Sequence, residues 1–190
     1  MFKAQNIRCL VLAAGSARRF GACKLLHPLS DGRSILQHTL SLYSALFDQV
    51  TVVCNDNQEL INQALALNAS VEVNALSDQG MSESIKLGVS KTTPALAWLI
   101  VLADMPYVAS ASIIKLCQCA KRSKIIQARI DNKPANPVLI GRDFYSQLMQ
   151  LQGDVGAKAI MQAHSDAVIQ LDLNDIGLVH DIDRPSDIRI

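Results

Sequence analysis

The feature of the sequence that most constrains the fold is a regular alternation of strand-like and helix-like segments. The first strand-like segment, IRCLVLAA at 7–14, is a continuous apolar run, which is typical of a parallel strand covered on both faces. After a polar loop, Ser34 can cap a helix that runs to residue 47, because apolar residues recur there at helical spacing. Alternation of this kind predicts a three-layer α/β fold with a mostly parallel sheet.

The same pattern continues to the end of the chain. Further strands are predicted at 49–55, at 70–74, within 95–106, at 124–129, and near 167–171 and 178–182, with a short apolar segment at 136–141. Further helices are predicted near 56–67, at 82–90, near 109–121 and twice within 142–163. In open α/β sheets, ligands bind outside the carboxyl ends of the strands. The polar features that fall at such ends are the 14–24 loop, Asp104, and Asp181 with Asp183.

The balance of charge and hydrophobicity excludes several classes of protein. The chain has 18 basic and 17 acidic side chains, whereas a general nucleic-acid or membrane surface needs a basic excess. Its 190 residues, 49% of them apolar, fit one globular domain. Because no apolar run is long enough to span a membrane and the N-terminus does not resemble a secretory signal, a cytoplasmic protein is expected.

The loop within VLAAGSARRFGACKLL, residues 11–26, concentrates cations beside glycines in a nearly neutral chain. Its spacing fits neither the Walker A motif nor the G-x-G-x-x-G motif of dinucleotide sites. Glycines nevertheless let backbone N–H groups approach a ligand closely, and Arg19 and Lys24 can neutralise phosphate charge. Composition alone leaves two interpretations open, a polyphosphate site and a solvated basic turn.

Asp104 directly follows the apolar segment WLIVLA, where an unpaired carboxylate would be costly. It must therefore reach water, a cation or a hydrogen-bond donor. Mg²⁺ typically takes one or two carboxylates together with substrate phosphates, and Asp183 can supply the second carboxylate. The alternatives are that Asp104 caps the following turn and that Asp183 begins a helix cap before Pro185. The pattern favours the metal site.

Five segments, in order, carry a resemblance that extends along the whole chain: LAAGSARRFGACKLL at 12–26, NALSDQGMSESIKLG at 74–88, LADMPYV at 102–108, LQGDVGAKAI at 151–160 and DIDRPSDI at 181–188. They resemble the motifs of the MobA-like nucleotidyltransferases, most closely those of the molybdenum cofactor cytidylyltransferase (MocA-like) branch. The resemblance implies a single Rossmann-like domain over residues 1–190, of the nucleotide-diphospho-sugar transferase type. It also implies transfer of a nucleoside monophosphate from an NTP to a phosphorylated acceptor, with release of pyrophosphate.

The resemblance assigns site residues by position. The residues that would meet the base and triphosphate are Leu12, Ala13, Ala14, Gly15, Arg19 and Lys24. The residues that correspond to a second base- and ribose-binding loop are Asn74, Gly80 and Ser84. Arg19, Lys24 and Asp104 correspond to the catalytic residues, and Asp104 and Asp183 to the ligands of Mg²⁺, with Mn²⁺ as the alternative ion. Ala14 stands in place of a second glycine and favours CTP over GTP, because its methyl group reduces the space beside the base and a pyrimidine is smaller than a purine.

One departure from the family pattern concerns the acceptor. Relatives commonly read Gly-His-Pro where this chain has Ala135, Asn136 and Pro137. The expected acceptor is molybdopterin, and the expected recipient of the product is a molybdoenzyme. The alternatives are cytidylyl or guanylyl transfer to another phosphate, such as a sugar or polyol phosphate, and non-catalytic delivery of a cofactor.

The cysteines and histidines receive no catalytic role. The five cysteines do not show the spacing of a paired zinc motif, and Cys9 and Cys54 lie in strand-like segments where a thiol behaves as a small apolar group. Cys23 alone lies in the polar loop. An acceptor phosphate is already ionised, so the expected reaction needs no histidine as a general base.

Overall fold

The sheet is built from strands that follow the apolar segments. A computed structural model describes residues 4–15, 23–154 and 156–188. Within these ranges the strands are β1 (Ile7–Ala13), β2 (Val50–Cys54), β3 (Ser70–Val73), β4 (Ala97–Leu102), β5 (Ile125–Ile130), β6 (Lys133–Gly141) and β7 (Val168–Asp172). Their order in the sheet is β3-β2-β1-β4-β6-β5-β7. Only β6 runs antiparallel to its neighbours, β4 and β5, so the predicted mostly parallel sheet is confirmed.

Helices cover both faces of the sheet. The described α-helices are α1 (Ile35–Leu46), α2 (Gln58–Ala66), α3 (Met81–Lys91), α4 (Ser110–Gln118), α5 (Tyr145–Met149) and α6 (Lys158–Ala163). Cys9 and Val11 of β1 pack in one core with α1, α2 and α4, whereas Leu10 and Leu12 pack in a second core with α3, α5 and α6. Successive side chains of a strand point to opposite faces, so the predicted three-layer architecture is confirmed.

Helix α1 begins where the sequence predicts and also supports the turn after β4. Ser34 forms a capping box, in which its Oγ accepts a hydrogen bond from Gln37 N at 3.1 Å and its N donates to Gln37 Oε1 at 2.8 Å. One turn later, Thr39 Oγ1 donates to the backbone oxygen of Ala103 at 2.9 Å. This bond joins the helix to the residue immediately before Asp104.

The strand predicted near 178–182 is wrong. The chain instead forms a 3-10 helix at Ile176–Val179 and continues without regular structure through Ile182. Asp175 Oδ1 accepts a hydrogen bond from Gly177 N at 3.0 Å, which favours a turn over an extended chain. A Cβ atom at Gly177 would lie 2.1 Å from the backbone oxygen of Tyr107, so only glycine allows this close approach.

Cys9, Cys54 and Cys117 are buried free thiols, as expected for cysteines that serve as core residues. Burial raises the pKa of Cys54 to about 11 and that of Cys117 to about 12. Cys23 and Cys119 are half-buried and also free.

Among the helices of the described ranges, none has both the length and the hydrophobicity needed to cross a membrane.

Candidate functional site

The candidate site lies at the carboxyl ends of β1 and β4, which are adjacent and parallel. Ala103 N donates a hydrogen bond to the backbone oxygen of Leu12 at 3.1 Å, so the two chains stay together beyond the strands. Ala13 and Ala14 are 2% and 8% exposed, whereas Gly15 is exposed, and no atom of the described residues lies within 4 Å of where its Cβ would be. The turn after β1 therefore begins with small, buried side chains followed by an exposed glycine, next to the end of β4.

Lys24 joins the two distant parts of the sequence that were assigned to the metal site. It begins a 3-10 helix at Lys24–Leu26, and its Nζ lies 2.8 Å from Asp104 Oδ2 and 2.9 Å from Asp183 Oδ1. Burial by itself lowers the pKa of Lys24, but the hydrogen bonds and charges of Asp104 and Asp183 outweigh it and raise the pKa overall. The lysine is therefore a fixed positive charge between two carboxylates.

Three carboxylates are close enough to hold one metal ion. Asp104, Asp181 and Asp183 each have an oxygen within 4.8 Å of an oxygen of the others. Asp104 Oδ1 is buried and accepts no hydrogen bond from any residue in the described ranges. A buried carboxylate oxygen without a donor is costly, and oxygen ligands suit Mg²⁺ and Mn²⁺. The residues present therefore fit a divalent cation, which would use some of the same oxygens as Lys24.

Asp181 is the ligand candidate to which the sequence prediction gave no metal role. It was placed at a strand end with Asp183, but only Asp104 and Asp183 were assigned to the metal. The available signal was the spacing: in an extended chain, side chains two residues apart point to the same side.

A backbone hydrogen bond and a helix cap hold the C-terminal segment against the turn after β4. Ile182 N donates to the backbone oxygen of Asp104 at 3.0 Å, which places the flanking aspartates beside that turn. Asp175 Oδ2 accepts hydrogen bonds from Ala109 N at 2.9 Å and from Ser112 Oγ at 2.7 Å. Asp175 thus caps the start of α4 from a distant part of the chain, an interaction that local sequence did not indicate.

Asp187 fixes the backbone of Asp183. Its Oδ2 accepts hydrogen bonds from Arg184 N at 2.7 Å and Asp183 N at 2.9 Å, and these bonds lower its pKa. His180 Nε2 lies 2.7 Å from the backbone oxygen of Asp187, and its ring meets Tyr107 edge to face. These contacts give His180 a structural role, in which it connects the segment around Asp187 to Tyr107.

Two of the residues assigned to the second nucleotide-binding loop bond to each other. Asn74 Nδ2 donates to Ser84 Oγ at 2.9 Å, and both residues are at most 5% exposed. Asn74 Oδ1 also accepts from Leu76 N at 2.9 Å. The pair connects the end of β3 to α3, so its contribution to a nucleotide site would be to shape the loop between them.

Gly80, the third residue assigned to that loop, packs against the segment before α6. It has φ of +108°, and a Cβ there would lie 2.6 Å from the backbone carbon and oxygen of Gly153. Ser82 N donates to that oxygen at 3.2 Å, and Met81 N donates to Asp154 Oδ1 at 3.0 Å. The motif at 151–160 therefore fixes the first turn of α3.

A cavity of about 880 Å³ lies on the α3 and α6 side of the sheet. Leu102 at the end of β4 lines it, as do Pro134, Ala135 and Asn136 of the segment that departs from the family pattern. Leu102 lies two residues before Asp104 in the sequence, but Asp104, Asp181 and Asp183 do not line the cavity. Arg19, which the sequence assigns to the triphosphate, lies outside the described residues.

Residues 9–168 match the model of the family described as the MobA-like NTP transferase domain. The chain belongs to this family. The MobA-like domain is also 27% identical, over 141 residues, to the bifunctional protein GlmU of Buchnera aphidicola subsp. Acyrthosiphon pisum (strain Tuc7). That match covers 73% of this chain and 30% of GlmU, so the domain spans about a third of the length of this relative.

Solved structures with the same fold match the MobA-like domain over nearly its full length. Rv0371c of Mycobacterium tuberculosis is 26% identical with a TM-score of 0.83, covering 97% of this chain and 96% of that chain, and Rv0371c has also been solved in complex with manganese. Molybdopterin-guanine dinucleotide biosynthesis protein A of Archaeoglobus fulgidus has a TM-score of 0.69 at 16% identity, with coverage of 95% and 94%. The 4-diphosphocytidyl-2C-methyl-D-erythritol synthase of Anaerococcus prevotii has a TM-score of 0.75 at 16% identity, with coverage of 97% and 93%. The last two likenesses show the fold alone.

Proposed function

We propose that residues 1–190 act as one cytoplasmic nucleotidyltransferase domain, which transfers CMP from CTP to molybdopterin and releases pyrophosphate. A molybdoenzyme would then receive the cytidylylated product. The observation that carries this proposal is the meeting of Lys24 with Asp104 and Asp183 at the carboxyl ends of β1 and β4. Membership of the MobA-like NTP transferase family supports the class of reaction. The cytidine preference and the acceptor come from the resemblance in sequence.

The nucleotide would lie along the turn after β1 and the loop before α3. Leu12, Ala13, Ala14 and Gly15 would offer backbone groups to the base, since these side chains are small or buried. Asn74, Gly80 and Ser84 would hold the opposite wall in shape through the contacts described above. Arg19 and Lys24 would bind the triphosphate, Arg19 with a planar fork and Lys24 with a point charge.

The reaction exchanges one bond to phosphorus for another. An oxygen of the acceptor phosphate attacks the α-phosphorus of CTP, while the bond from that phosphorus to the bridging oxygen breaks and its electron pair leaves with pyrophosphate. Positioning and charge stabilisation do most of the work in such transfers. Lys24 and Arg19 would stabilise the charge that develops on the phosphates, and no general base is needed.

Asp104, Asp181 and Asp183 would hold the divalent cation, which is Mg²⁺ in this proposal with Mn²⁺ as the alternative. When bound, the ion would reduce the repulsion between the acceptor phosphate and the α-phosphate. The manganese complex of Rv0371c supports the choice of a divalent cation for this fold.

The test is pyrophosphate release with molybdopterin and CTP, GTP or ATP. We expect release with CTP to exceed that with the other two nucleotides. Asp104→Asn should reduce it by roughly 100-fold or more. Asp48→Asn is the control, because Asp48 is exposed and precedes β2 at the opposite edge of the sheet. Negligible release with all three nucleotides would refute the proposal.

A second candidate keeps the chemistry and changes the acceptor. Ala135 and Asn136 line the cavity in the segment that departs from the family pattern, and this observation favours a different phosphate, such as a sugar or polyol phosphate. An acceptor panel with CTP and GTP separates the two candidates. Non-catalytic delivery to a molybdoenzyme is less well supported, because delivery alone does not require Lys24 and a set of clustered carboxylates; a pull-down combined with the turnover assay tests it.

A further inference from the structure

The backbone on either side of Asp104 is held by three distant parts of the chain. Ala103 N donates a hydrogen bond to the backbone oxygen of Leu12 at 3.1 Å, and Ile182 N donates to the backbone oxygen of Asp104 at 3.0 Å. The third bond runs from Thr39 Oγ1 of α1 to the backbone oxygen of Ala103 at 2.9 Å. The first two bonds join backbone groups, whereas the third depends on a hydroxyl and therefore on the residue type at position 39.

The carboxylate of Asp104 depends on this backbone for its direction. Its Oδ1 is buried and accepts no hydrogen bond from any residue in the described ranges. Its Oδ2 lies 2.8 Å from Lys24 Nζ, which is a point charge at the end of a flexible side chain. Because no donor fixes Oδ1, the position of that oxygen follows from the orientation of the backbone at 103–104. A change in the peptide before Asp104 would therefore move a candidate metal ligand.

The hydroxyl of Thr39 is the donor that satisfies the Ala103 carbonyl. Thr39 is 1% exposed, and its one hydroxyl hydrogen is shared between Ala103 O and Ile35 O, which lies 3.0 Å away. Ile35 O can also accept the helical bond from the N–H four residues later, whereas Ala103 O accepts no backbone hydrogen bond from the described residues. Without the hydroxyl, Ala103 would keep a buried carbonyl that lacks a donor, which is unfavourable and favours a shift of the turn.

We propose that Thr39 is a positioning residue for the metal site. Its hydroxyl holds the carbonyl of Ala103 and thereby keeps the carboxylate of Asp104 where it can share a divalent cation with Asp181 and Asp183. The inference rests on the proposed function in one respect, the binding of a divalent cation by Asp104. Groups that orient the ligands of a metal ion typically contribute a factor of about 10 to 100 to its affinity.

Calorimetric titration with Mn²⁺, without nucleotide or acceptor, tests the role of Thr39 directly. Thr39→Val keeps the β-branched shape and removes the hydroxyl, so we expect it to weaken Mn²⁺ binding by roughly tenfold. Thr39→Ser removes the methyl group and keeps the hydroxyl, so it should bind Mn²⁺ as the wild type does. The pair of variants separates the hydrogen bond from the packing of the side chain.

Thr92→Val is the matched control. The hydroxyl of Thr92 accepts a hydrogen bond from Trp98 Nε1 at 3.0 Å, at the end of β4 that is remote from Asp104. This variant also loses a hydrogen-bonded threonine hydroxyl beside β4, so it should lose stability but bind Mn²⁺ as the wild type does. Circular dichroism melts check that each variant folds, and Thr39→Ala replaces Thr39→Val in the comparison with Thr39→Ser if the valine variant does not fold.

The outcomes separate this inference from the proposed function. Wild-type Mn²⁺ affinity in Thr39→Val would overturn the inference, as would an equal loss in Thr39→Ser or Thr92→Val, or a wild-type protein that binds no Mn²⁺. Weaker binding that appears in Thr39→Val and is restored in Thr39→Ser would support the inference even if no pyrophosphate were released with any nucleotide. In that case the proposed transfer would be the part that fails.

Discussion

Replacing Lys24 by methionine removes the ammonium that Asp104 and Asp183 share and keeps a side chain of similar length. At 2.8 and 2.9 Å, with an effective dielectric constant of about 20, each pair is worth about 6 kcal/mol before desolvation. The cost of burying charge offsets most of this energy, and solvent screens Asp183, whose side chain is 51% exposed. We therefore take about 1–2 kcal/mol as the net contribution.

This magnitude predicts opposite effects on metal binding and turnover. A divalent cation would compete with Lys24 for the same oxygens, so Lys24→Met should bind Mn²⁺ roughly tenfold more tightly in the absence of nucleotide, since each 1.4 kcal/mol is a factor of ten. Turnover should fall by roughly 100- to 1,000-fold, because the charge that stabilises the phosphates is lost.

Calorimetry with Mn²⁺ and the pyrophosphate assay measure the two effects. Lys115→Met, on the exposed face of α4, serves as the control and should change neither quantity. Mn²⁺ binding that is unchanged or weaker in Lys24→Met would refute the reasoning, because it would mean that the lysine does not compete with the ion for these carboxylates.

Two further predictions concern packing and burial. Gly80→Ala should lower the free energy of unfolding in urea by about 2–4 kcal/mol, because its methyl would meet the backbone of Gly153. Gly32→Ala, with φ of +83° but no described atom within 4 Å of the added Cβ, should lose only about 1 kcal/mol, and equal losses would contradict the role of the close approach. A thiol reagent at pH 8 should leave Cys54 and Cys117 unmodified in the native protein, because burial raises their pKa to about 11 and about 12; rapid modification of either, detected by mass spectrometry, would show that it is accessible.

Much of the fold could be predicted because its signals are local. The apolar run of β1, the cap at Ser34 and the helical spacing that follows each lie within a few residues of the element they specify. The proximity of Lys24 to Asp104 follows from one further rule, since the carboxyl ends of adjacent parallel strands meet at one edge of a sheet.

The features that the sequence did not reveal depend on contacts between distant segments. Asp154 bonds to the first turn of α3, and Asp175 caps the start of α4, although the bonded residues are 73 and 66 positions apart in sequence. Neither has a local pattern that distinguishes it from any exposed aspartate.

The incorrect strand near 178–182 and the metal site involving Asp183 were incompatible predictions. In the observed order, β7 lies three positions from β4, and an additional strand beyond β7 would lie four positions away. At about 4.8 Å per strand, its side chains would be about 19 Å from the end of β4, too far to share one ion with Asp104. The chain instead leaves the sheet after β7, and Ile182 bonds to the backbone of Asp104. An irregular path for this segment is therefore a requirement of the site.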